Sequence, residues 1–291
     1  MRLIDGRYEL SEEIGVGGMA AVWLATDHLL GRPVAIKEIR FGGAPESSQV
    51  ASRAVREARA AAALNHANIV PIYDVVRPTG QPLIVMHAVD GETLRDLVFP
   101  DEAMEIGEVA RIGLCLASAL DAAHRAGIIH RDVKPANVML DQTGHVWLTD
   151  FGVARVLRNG TLTADGLIGS PGYAAPEQVL GEAAHSPADV FGLGATLYYA
   201  VEGVGPYGRS DPQASLMAPV VAPPRKPERA GWLGPILLRM LARHPADRPT
   251  LDEVSQALVN RRLPARYQRR WTLLTGLAAA ASAARSEWAR R

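Results

Sequence analysis

The first 86 residues carry short apolar runs of the kind that form β-strands, with one helical stretch among them. Each run is rich in β-branched or aromatic residues and has the length of a strand. The runs that predict strands are Tyr8–Ile14, Ala21–Thr26, Val34–Ile39, Ile69–Val76 and Leu83–Met86. Residues 47–64 are instead rich in alanine and arginine, which favours a helix. This part of the chain is therefore predicted to form a small β-rich unit.

From about Thr93 onward the apolar positions follow a helical pattern, and Gly107–Gly127 is the longest example. Further predicted elements are helices at Leu193–Val201, Leu233–Arg243 and Leu251–Asn260 and short strands at Val138–Leu140 and Val146–Thr149. Gly152–Gly172 is rich in Gly, Thr and Ser, which is typical of a long functional loop. The absence of a repeat of roughly 20–50 residues argues against a solenoid. A larger α-helical unit is therefore predicted to follow the β-rich one.

The end of the chain has a different pattern. A basic segment at residues 261–270 precedes the alanine-rich stretch Trp271–Ala284. As a helix, this stretch would be about 21 Å long, shorter than a hydrocarbon core of roughly 30 Å. Its basic flank favours contact with anionic lipid at the membrane surface, and a solvated or self-packing helix is the alternative.

Composition narrows the class of protein. Of the 291 residues, 48% are hydrophobic, so the chain has enough apolar side chains for a large core. The 31 basic and 31 acidic side chains balance, which argues against a nucleic-acid partner. The single cysteine, Cys115, excludes an internal disulfide framework. Residues Met1–Gly6 are too polar for a secretory signal, so we expect a cytoplasmic protein, peripheral to the inner membrane face if the tail binds lipid.

The basic residues are unevenly divided, with three lysines against 28 arginines. The lysines are Lys37, Lys134 and Lys226. Lysine offers a compact ammonium where arginine offers a planar fork, so a chain this poor in lysine should keep it where a point charge is needed.

A glycine cluster lies at Gly15–Gly18, between two predicted strands. Glycines let the backbone approach phosphate oxygens closely, although a plain turn would show the same pattern. Because Val22–Leu24 continues as a strand, a dinucleotide-binding fold, which needs a helix there, is excluded.

The run Val34–Lys37 places a lysine in an apolar strand, where an ammonium is costly unless it is paired. Glu57, in the predicted helix, is one candidate partner, and nucleotide phosphates are the other. An exposed edge-strand lysine is the alternative for this motif alone.

The most specific pattern is His-Arg-Asp-x-x-x-x-Asn at His130–Asn137, followed by Asp-Phe-Gly at Asp150–Gly152. With the glycine cluster and Val-Ala-Ile-Lys in the same order, residues 8–262 resemble the eukaryotic-type (Hanks-type) protein kinases, in particular the bacterial serine/threonine subgroup. The resemblance implies an α+β, bilobal protein-kinase fold. Its parts would be a β-rich N-lobe at residues 1–88, an α-helical C-lobe at residues 89–262 and a tail at residues 263–291.

The resemblance also implies a role for each motif residue. Asp132 would accept or orient the proton of the substrate hydroxyl, and Lys134 would lie beside the transferring phosphoryl group. Lys37 would hold the α- and β-phosphates of ATP while Glu57 fixes its ammonium. The metal ligands, for Mg²⁺ or alternatively Mn²⁺, would be Asn137 and Asp150.

The implied ATP-binding residues belong to the glycine-rich turn, the strand that follows it, the lysine strand and the junction between the lobes. They are Ile14, Gly15, Val16, Gly17, Gly18, Met19, Ala20, Ala21, Val22, Ala35, Lys37, Met86, His87 and Val89. Met86 matches the gatekeeper position, and the backbone of His87 and Val89 would bond to adenine. His87–Ala88 stands where the family often has Glu–Tyr, but main-chain contacts should tolerate that change.

Two features of the resemblance indicate serine/threonine substrates. Lys134 fits the serine/threonine subgroup, and Gly169–Glu177 resembles the loop that positions a peptide. Ser170 stands in this loop where the family commonly has threonine. Glu177 should form a buried structural ion pair with Arg248.

Two further residues are expected to support the catalytic loop or its control. Asp189 resembles the aspartate that anchors the backbone of the catalytic loop. Arg131 precedes Asp132, an arrangement that often accompanies phosphorylation of the following loop, and Thr161 and Thr163 are the candidate sites. Ordinary polar loop threonines are the alternative.

The function implied is transfer of the ATP γ-phosphoryl group to serine or threonine hydroxyls of proteins, with self-association for trans-autophosphorylation. The alternative is a pseudokinase scaffold that binds nucleotide without phosphotransfer. Such a scaffold would be expected to lack at least one of four residues that this chain retains: Lys37, Asp132, Asn137 and Asp150. A small-molecule kinase would not be expected to carry the Ala-Pro-Glu segment that ends at Glu177.

Overall fold

The computed structural model describes seven stretches of the chain. They are residues 2–17, 20–39, 47–78, 81–99, 103–151, 172–208 and 212–261. Several residues singled out from the sequence lie outside these stretches, as does the tail. They are Gly18, Met19, Gly152, Thr161, Thr163 and Ser170.

The N-terminal unit is built on a six-stranded antiparallel sheet with the order β1-β2-β3-β4-β6-β5. Its strands are β1 (Arg2–Ile4), β2 (Tyr8–Gly17), β3 (Ala20–Asp27), β4 (Arg32–Ile39), β5 (Ile72–Val76) and β6 (Leu83–His87). The short strand β1 was not predicted from the sequence. Strand β5 begins three residues later than predicted, because Ile69 instead forms a parallel bridge with Leu148 of the second unit. The sheet order leaves β5 at an edge.

Helix α1 (Ser47–Ala62) packs against this sheet through small side chains. Ala54 and Ala58 are almost fully buried against Ile39 of β4 and Ile84 of β6. Alanines on the packed face favour the helix and let it approach the strands closely. The helix therefore lies directly beside the strand that carries Lys37.

The C-terminal unit is mainly helical. Its helices are α2 (Leu94–Leu97), α3 (Ile106–Arg125), α4 (Pro176–Val179), α5 (Ser186–Glu202), α6 (Pro212–Val221), α7 (Gly234–Met240) and α8 (Leu251–Asn260). A three-stranded sheet, in the order β7-β8-β9, lies beside them. Its strands are β7 (Gly91–Thr93), β8 (Val138–Asp141) and β9 (Val146–Leu148). Among the residues described, none of the helices combines the length and the apolar character needed to cross a bilayer.

The core of this unit is organised around helix α5, which is buried on nearly all sides. Phe191, Leu193 and Leu197 on this helix are fully buried. Gly192 allows the helix to pass against the segment before β8, since a Cβ at this position would lie 2.8 Å from the carbonyl oxygen of Val133. The segment that contains the catalytic motif is thus pressed directly onto the most buried helix.

The ion pair expected between Glu177 and Arg248 is present and buried. Arg248 Nη1 and Nη2 donate to the two carboxylate oxygens of Glu177 at 2.6 and 2.7 Å. The same guanidinium also donates to the carbonyl oxygens of Pro187 and Ala242, at 2.9 Å each. The pair therefore ties α4 to the start of α5 and to the segment that precedes α8.

We expect Arg248→Met to lower the free energy of unfolding by about 3–5 kcal/mol, because it leaves the Glu177 carboxylate buried without its partner. The matched control is Arg125→Met, which removes an exposed arginine paired with Asp121 on α3 and should cost less than about 1 kcal/mol. Urea unfolding followed by tryptophan fluorescence measures both. Equal losses in the two variants would contradict the structural role of the buried pair.

Candidate active site

The catalytic motif lies on the segment between α3 and β8, and one buried carboxylate holds its backbone. Asp189 of α5, which is 1% exposed, accepts hydrogen bonds from the backbone N–H groups of His130 at 2.9 Å and Arg131 at 2.6 Å. His124 Nε2 contacts the same carboxylate at 2.7 Å. Asp189 therefore occupies the anchoring position expected from the sequence.

The backbone of this segment adopts a conformation that needs such support. Arg131 has a φ of 67°, in the left-handed region, which costs a non-glycine residue roughly 1–2 kcal/mol. Its N–H is bound by Asp189, and its carbonyl oxygen accepts from Gln178 Nε2 at 2.9 Å. These hydrogen bonds to the backbone of Arg131 offset the strain. They also fix the backbone from which the Asp132 side chain projects.

His130 joins the catalytic segment to the segment after β9. Its fully buried ring donates from Nε2 to the carbonyl oxygen of Thr149 at 2.8 Å and accepts at Nδ1 from the backbone N–H of Asp132 at 3.2 Å. The ring also packs edge-on against Phe151, with the ring centres 4.5 Å apart. His130 is thus a packing residue, as the sequence indicated, and it sets the spacing between Asp132 and Asp150.

Three of the predicted residues meet at the Asp132 carboxylate. Lys134 Nζ lies 2.8 Å from Asp132 Oδ2, and Asn137 Nδ2 donates to the same oxygen at 3.2 Å. Asn137 Nδ2 also donates to the backbone carbonyl oxygen of Asp132 at 2.8 Å. The Asp132 side chain remains 19% exposed, so a substrate hydroxyl has access to a carboxylate that is already oriented.

Lys37 bridges the two units by pairing with Asp150. Its Nζ lies 2.7 Å from Asp150 Oδ1, and Lys37 itself is buried. A buried ammonium needs a nearby carboxylate, and Asp150 provides one. Lys37 pairs with Asp150 in this structure, and its pairing with Glu57 when ATP phosphates are bound stays a prediction.

The charge state of Asp150 follows from its neighbours. Burial opposes ionisation of its carboxyl group, but the ammonium of Lys37, with a smaller contribution from Lys134, lowers the pKa of Asp150 below its ordinary value. Its φ of 70° is a second left-handed backbone conformation in this site. Asp150 therefore presents an ionised carboxylate at neutral pH.

The predicted adenine-binding residues form an apolar patch at the junction of the units. Ala35 and Met86 are buried in one cluster, with Val22 and Val89 packed against it. Ala21 does not join them, because side chains alternate along β3 and its own is fully buried on the opposite face.

His87, which is expected to contact adenine through its backbone, lies at the end of β6. Its backbone N–H donates to the carbonyl oxygen of Pro71 at 3.0 Å, so this N–H is engaged within the protein. The imidazole lies beside Tyr73 and Trp147, and its burial, reinforced by the charge of Arg32, lowers the pKa of His87.

Gly15 and Gly17 lie at the end of the antiparallel pair of β2 and β3. Gly15 pairs with Val22 and Gly17 with Ala20, so β2 extends three residues beyond the predicted end at Ile14. Ile14 is 53% exposed and offers an apolar side chain that the protein does not bury.

Comparison with known proteins adds to this geometry. The model of the protein kinase domain family matches residues 8–259. The chain belongs to the protein kinase family. The fold class predicted from the sequence, a bilobal α+β kinase fold, is confirmed by this match and by the two units described above.

Several bacterial proteins are similar to this chain. It is 37% identical over 262 residues to a Corynebacterium glutamicum protein named "Probable serine/threonine-protein kinase PknB". It is 40% and 38% identical, each over 257 residues, to proteins named "Serine/threonine-protein kinase PknB" in Mycolicibacterium smegmatis and Mycobacterium tuberculosis. Each match covers 84% of this chain but only 40–41% of the relative, so this chain spans about two fifths of their length.

Sequence reasoning did not identify a small cavity of about 20 Å³ in this kinase, beside Lys37 and Asp150. Met86 and Phe151 line it from two sides. Its other lining residues are Ala61, Ile69, Val70, Ile72, Ile84 and Thr149. These residues come from separate elements, and each looks like ordinary core in the sequence, so only the fold shows that they face one space.

Proposed function

We propose that this chain is an ATP-dependent protein serine/threonine kinase that transfers the γ-phosphoryl group to hydroxyls of protein substrates. The observation that carries the proposal is the convergence of Lys134 and Asn137 on the Asp132 carboxylate, at 2.8 and 3.2 Å. The names of the bacterial relatives support serine and threonine as the acceptors.

Each residue has a defined task in this reaction. The substrate oxygen attacks the γ-phosphorus, the bond to the β–γ bridging oxygen breaks, and the hydroxyl proton passes to Asp132 Oδ. Lys134 Nζ, held beside Asp132, offsets negative charge on the transferring group. Phosphoryl transfer depends mainly on positioning and charge stabilisation, and a preoriented carboxylate and ammonium supply both.

The residues present suit a divalent metal ion, as the kinase family requires, and we propose Mg²⁺. Both Asn137 hydrogen bonds are made by its Nδ2, so Oδ1 remains as a neutral ligand, and Asp150 adds an ionised one. In the described part of the chain, no three His, Cys, Asp or Glu side chains form a metal cluster. A protein that supplies few ligands suits Mg²⁺, which keeps waters and shares phosphate oxygens, and the bound ion would neutralise phosphate charge.

Nucleotide binding must rearrange the contact between Lys37 and Asp150. In the structure their charges satisfy each other at 2.7 Å. Lys37 would turn to the ATP phosphates, with Glu57 on α1 as its carboxylate partner, and so release Asp150 to bind the metal. We propose the present contact as a resting state of the pair.

The test is phosphate transfer from labelled ATP, with Mg²⁺, to the chain itself and to a generic basic protein. Lys37→Met and Asp132→Asn should each lower the rate by about 10²–10⁴-fold, since they remove phosphate positioning and the proton acceptor. Lys226→Met is the matched control, because Lys226 is an exposed lysine far along the chain from the motifs, and it should keep full activity. EDTA should abolish transfer, and added Mg²⁺ should restore it. Nucleotide binding without transfer by the unaltered chain would favour the pseudokinase scaffold.

We also propose that Thr161 and Thr163 are phosphorylated by a second copy of the chain. The supporting feature is Arg131, whose cationic side chain follows His130 in the catalytic loop and suits a phosphate carrying about −1.5 to −2 charges. Incubating active chain with the inactive Lys37→Met chain should place phosphate on Thr161 or Thr163 of the inactive chain, as mapped by mass spectrometry. Phosphate found only on the active chain would contradict transfer between copies. If neither Thr161 nor Thr163 carries phosphate, these two sites are wrong.

The basic segment 261–270 supports a further proposal, that the tail touches anionic membrane surfaces. Each basic residue near such a surface adds about 1 kcal/mol of attraction. Co-sedimentation with phosphatidylglycerol vesicles should therefore be strong for the whole chain and weak after removal of residues 261–291. Equal sedimentation of the two proteins would overturn this proposal.

A further inference from the structure

A second concave site lies on the N-terminal unit, between helix α1 and the edge strand β5. It is an open cleft of about 630 Å³, and four arginines line it: Arg53, Arg56, Arg59 and Arg77. The apolar side chains of Val55 and Val75 also line the cleft. None of the catalytic, ATP-binding or metal-binding residues discussed above lines it. We call this feature the arginine cleft.

Within the described ranges, the arginines of the cleft have no carboxylate partners. Arg53, Arg56 and Arg59 make no hydrogen bond or ion pair with the residues described, and Arg77 Nη2 donates only to the backbone carbonyl oxygen of Ala51, at 3.2 Å. Other arginines of the chain contrast with them: Arg7 is paired with Asp27 and Arg111 with Glu108. In a chain of zero formal net charge, this is a local excess of positive charge.

Two acidic residues on strands of the same sheet are paired with other residues. Asp74 of β5 accepts a hydrogen bond from Tyr8 Oη at 3.0 Å and lies 3.6 Å from Arg7 Nη1. Glu38 of β4 lies 3.6 Å from Arg2 Nη1. The charge of the arginine cleft is therefore not neutralised by these two carboxylates.

The shape of the cleft suits an extended chain. Arg53, Arg56 and Arg59 are three residues apart and so form a row along one side of α1. The opposite wall is formed by Val75 of β5 and by Arg77, which follows this strand. The two valines offer apolar contact between the walls. A peptide in the cleft would thus meet apolar side chains of Val55 and Val75 and cations along α1.

We propose that the arginine cleft binds a phosphorylated serine or threonine peptide of a partner protein. The guanidinium fork matches phosphate oxygens with paired, charge-assisted hydrogen bonds. One phosphate carries at most about two negative charges, so four arginines also leave room for an acidic residue or a second phosphate beside it. A concave cleft favours a peptide over a flat lipid surface. This inference goes beyond the proposed function and does not depend on it, since binding requires no phosphate transfer.

The experiment measures retention of short peptides on the immobilised full chain at about physiological ionic strength. One degenerate library has phosphothreonine at its centre, and the other has threonine there. The unaltered chain should retain the phosphorylated library at least about tenfold better, because each phosphate replaces weak contacts with charged hydrogen bonds. The variant Arg53→Gln/Arg56→Gln/Arg59→Gln should lose this preference.

A matched control removes three positive charges elsewhere, on exposed side chains of the C-terminal unit: Lys226→Gln/Arg229→Gln/Arg243→Gln. It should keep the preference for phosphothreonine. If the cleft variant unfolds, Arg53→Lys/Arg56→Lys/Arg59→Lys replaces it, since lysine keeps the charge but loses the fork, and the preference should fall by severalfold.

Three results would overturn the proposal. They are equal retention of the two libraries by the unaltered chain, an equal loss of preference in the cleft variant and its control, and undiminished preference in the cleft variant.

A fourth arm uses phosphatidylglycerol vesicles. Vesicle binding that needs the three arginines, without any preference for phosphopeptide, would assign the cleft to lipid and also overturn the proposal. Loss of kinase activity in the Asp132→Asn chain leaves the binding result unchanged, so the two functions fail separately.

Discussion

The buried carboxylate of Asp189 is the interaction on which the arrangement of the active site depends. A charged group removed from water is costly unless it is satisfied, and Asp189 is satisfied by the backbone N–H groups of His130 and Arg131 and by His124. The same contacts hold Arg131 in a left-handed conformation that the chain would not otherwise keep. The position of Asp132 therefore follows from a helix in the core rather than from the loop's own preference.

A second electrostatic contact links the two units through Lys37. Lys37 lies on a strand of the N-terminal sheet and Asp150 follows β9, so their contact at 2.7 Å crosses the junction. Glu57 occupies the expected position in α1, but sequence motifs specify which residues are present and not which of two carboxylates an ammonium contacts. Either carboxylate would satisfy the buried ammonium of Lys37, so the conformation of the protein decides which one it contacts.

Patterns and motifs predicted much of the fold and the site. The strands, the long helix α3 and the pair Glu177–Arg248 were evident, because their signals are local periodicity or a distinctive motif. Strand β1 was missed, since three residues carry too little pattern. The arginine cleft was also missed: a row of arginines on α1 looks like an ordinary solvated face until the fold places Arg77 across from it.

The close approach of α5 to the catalytic segment has a consequence for the dynamics of this segment. At Gly192 the helix leaves no space for even a methyl group before the carbonyl oxygen of Val133. The amide protons of His130 and Arg131 are bound by a carboxylate on that same helix. The loop therefore has no small, local way to open, and its amide hydrogens should exchange with solvent only as slowly as the core of the C-terminal unit itself. The catalytic loop should therefore unfold together with this core rather than before it.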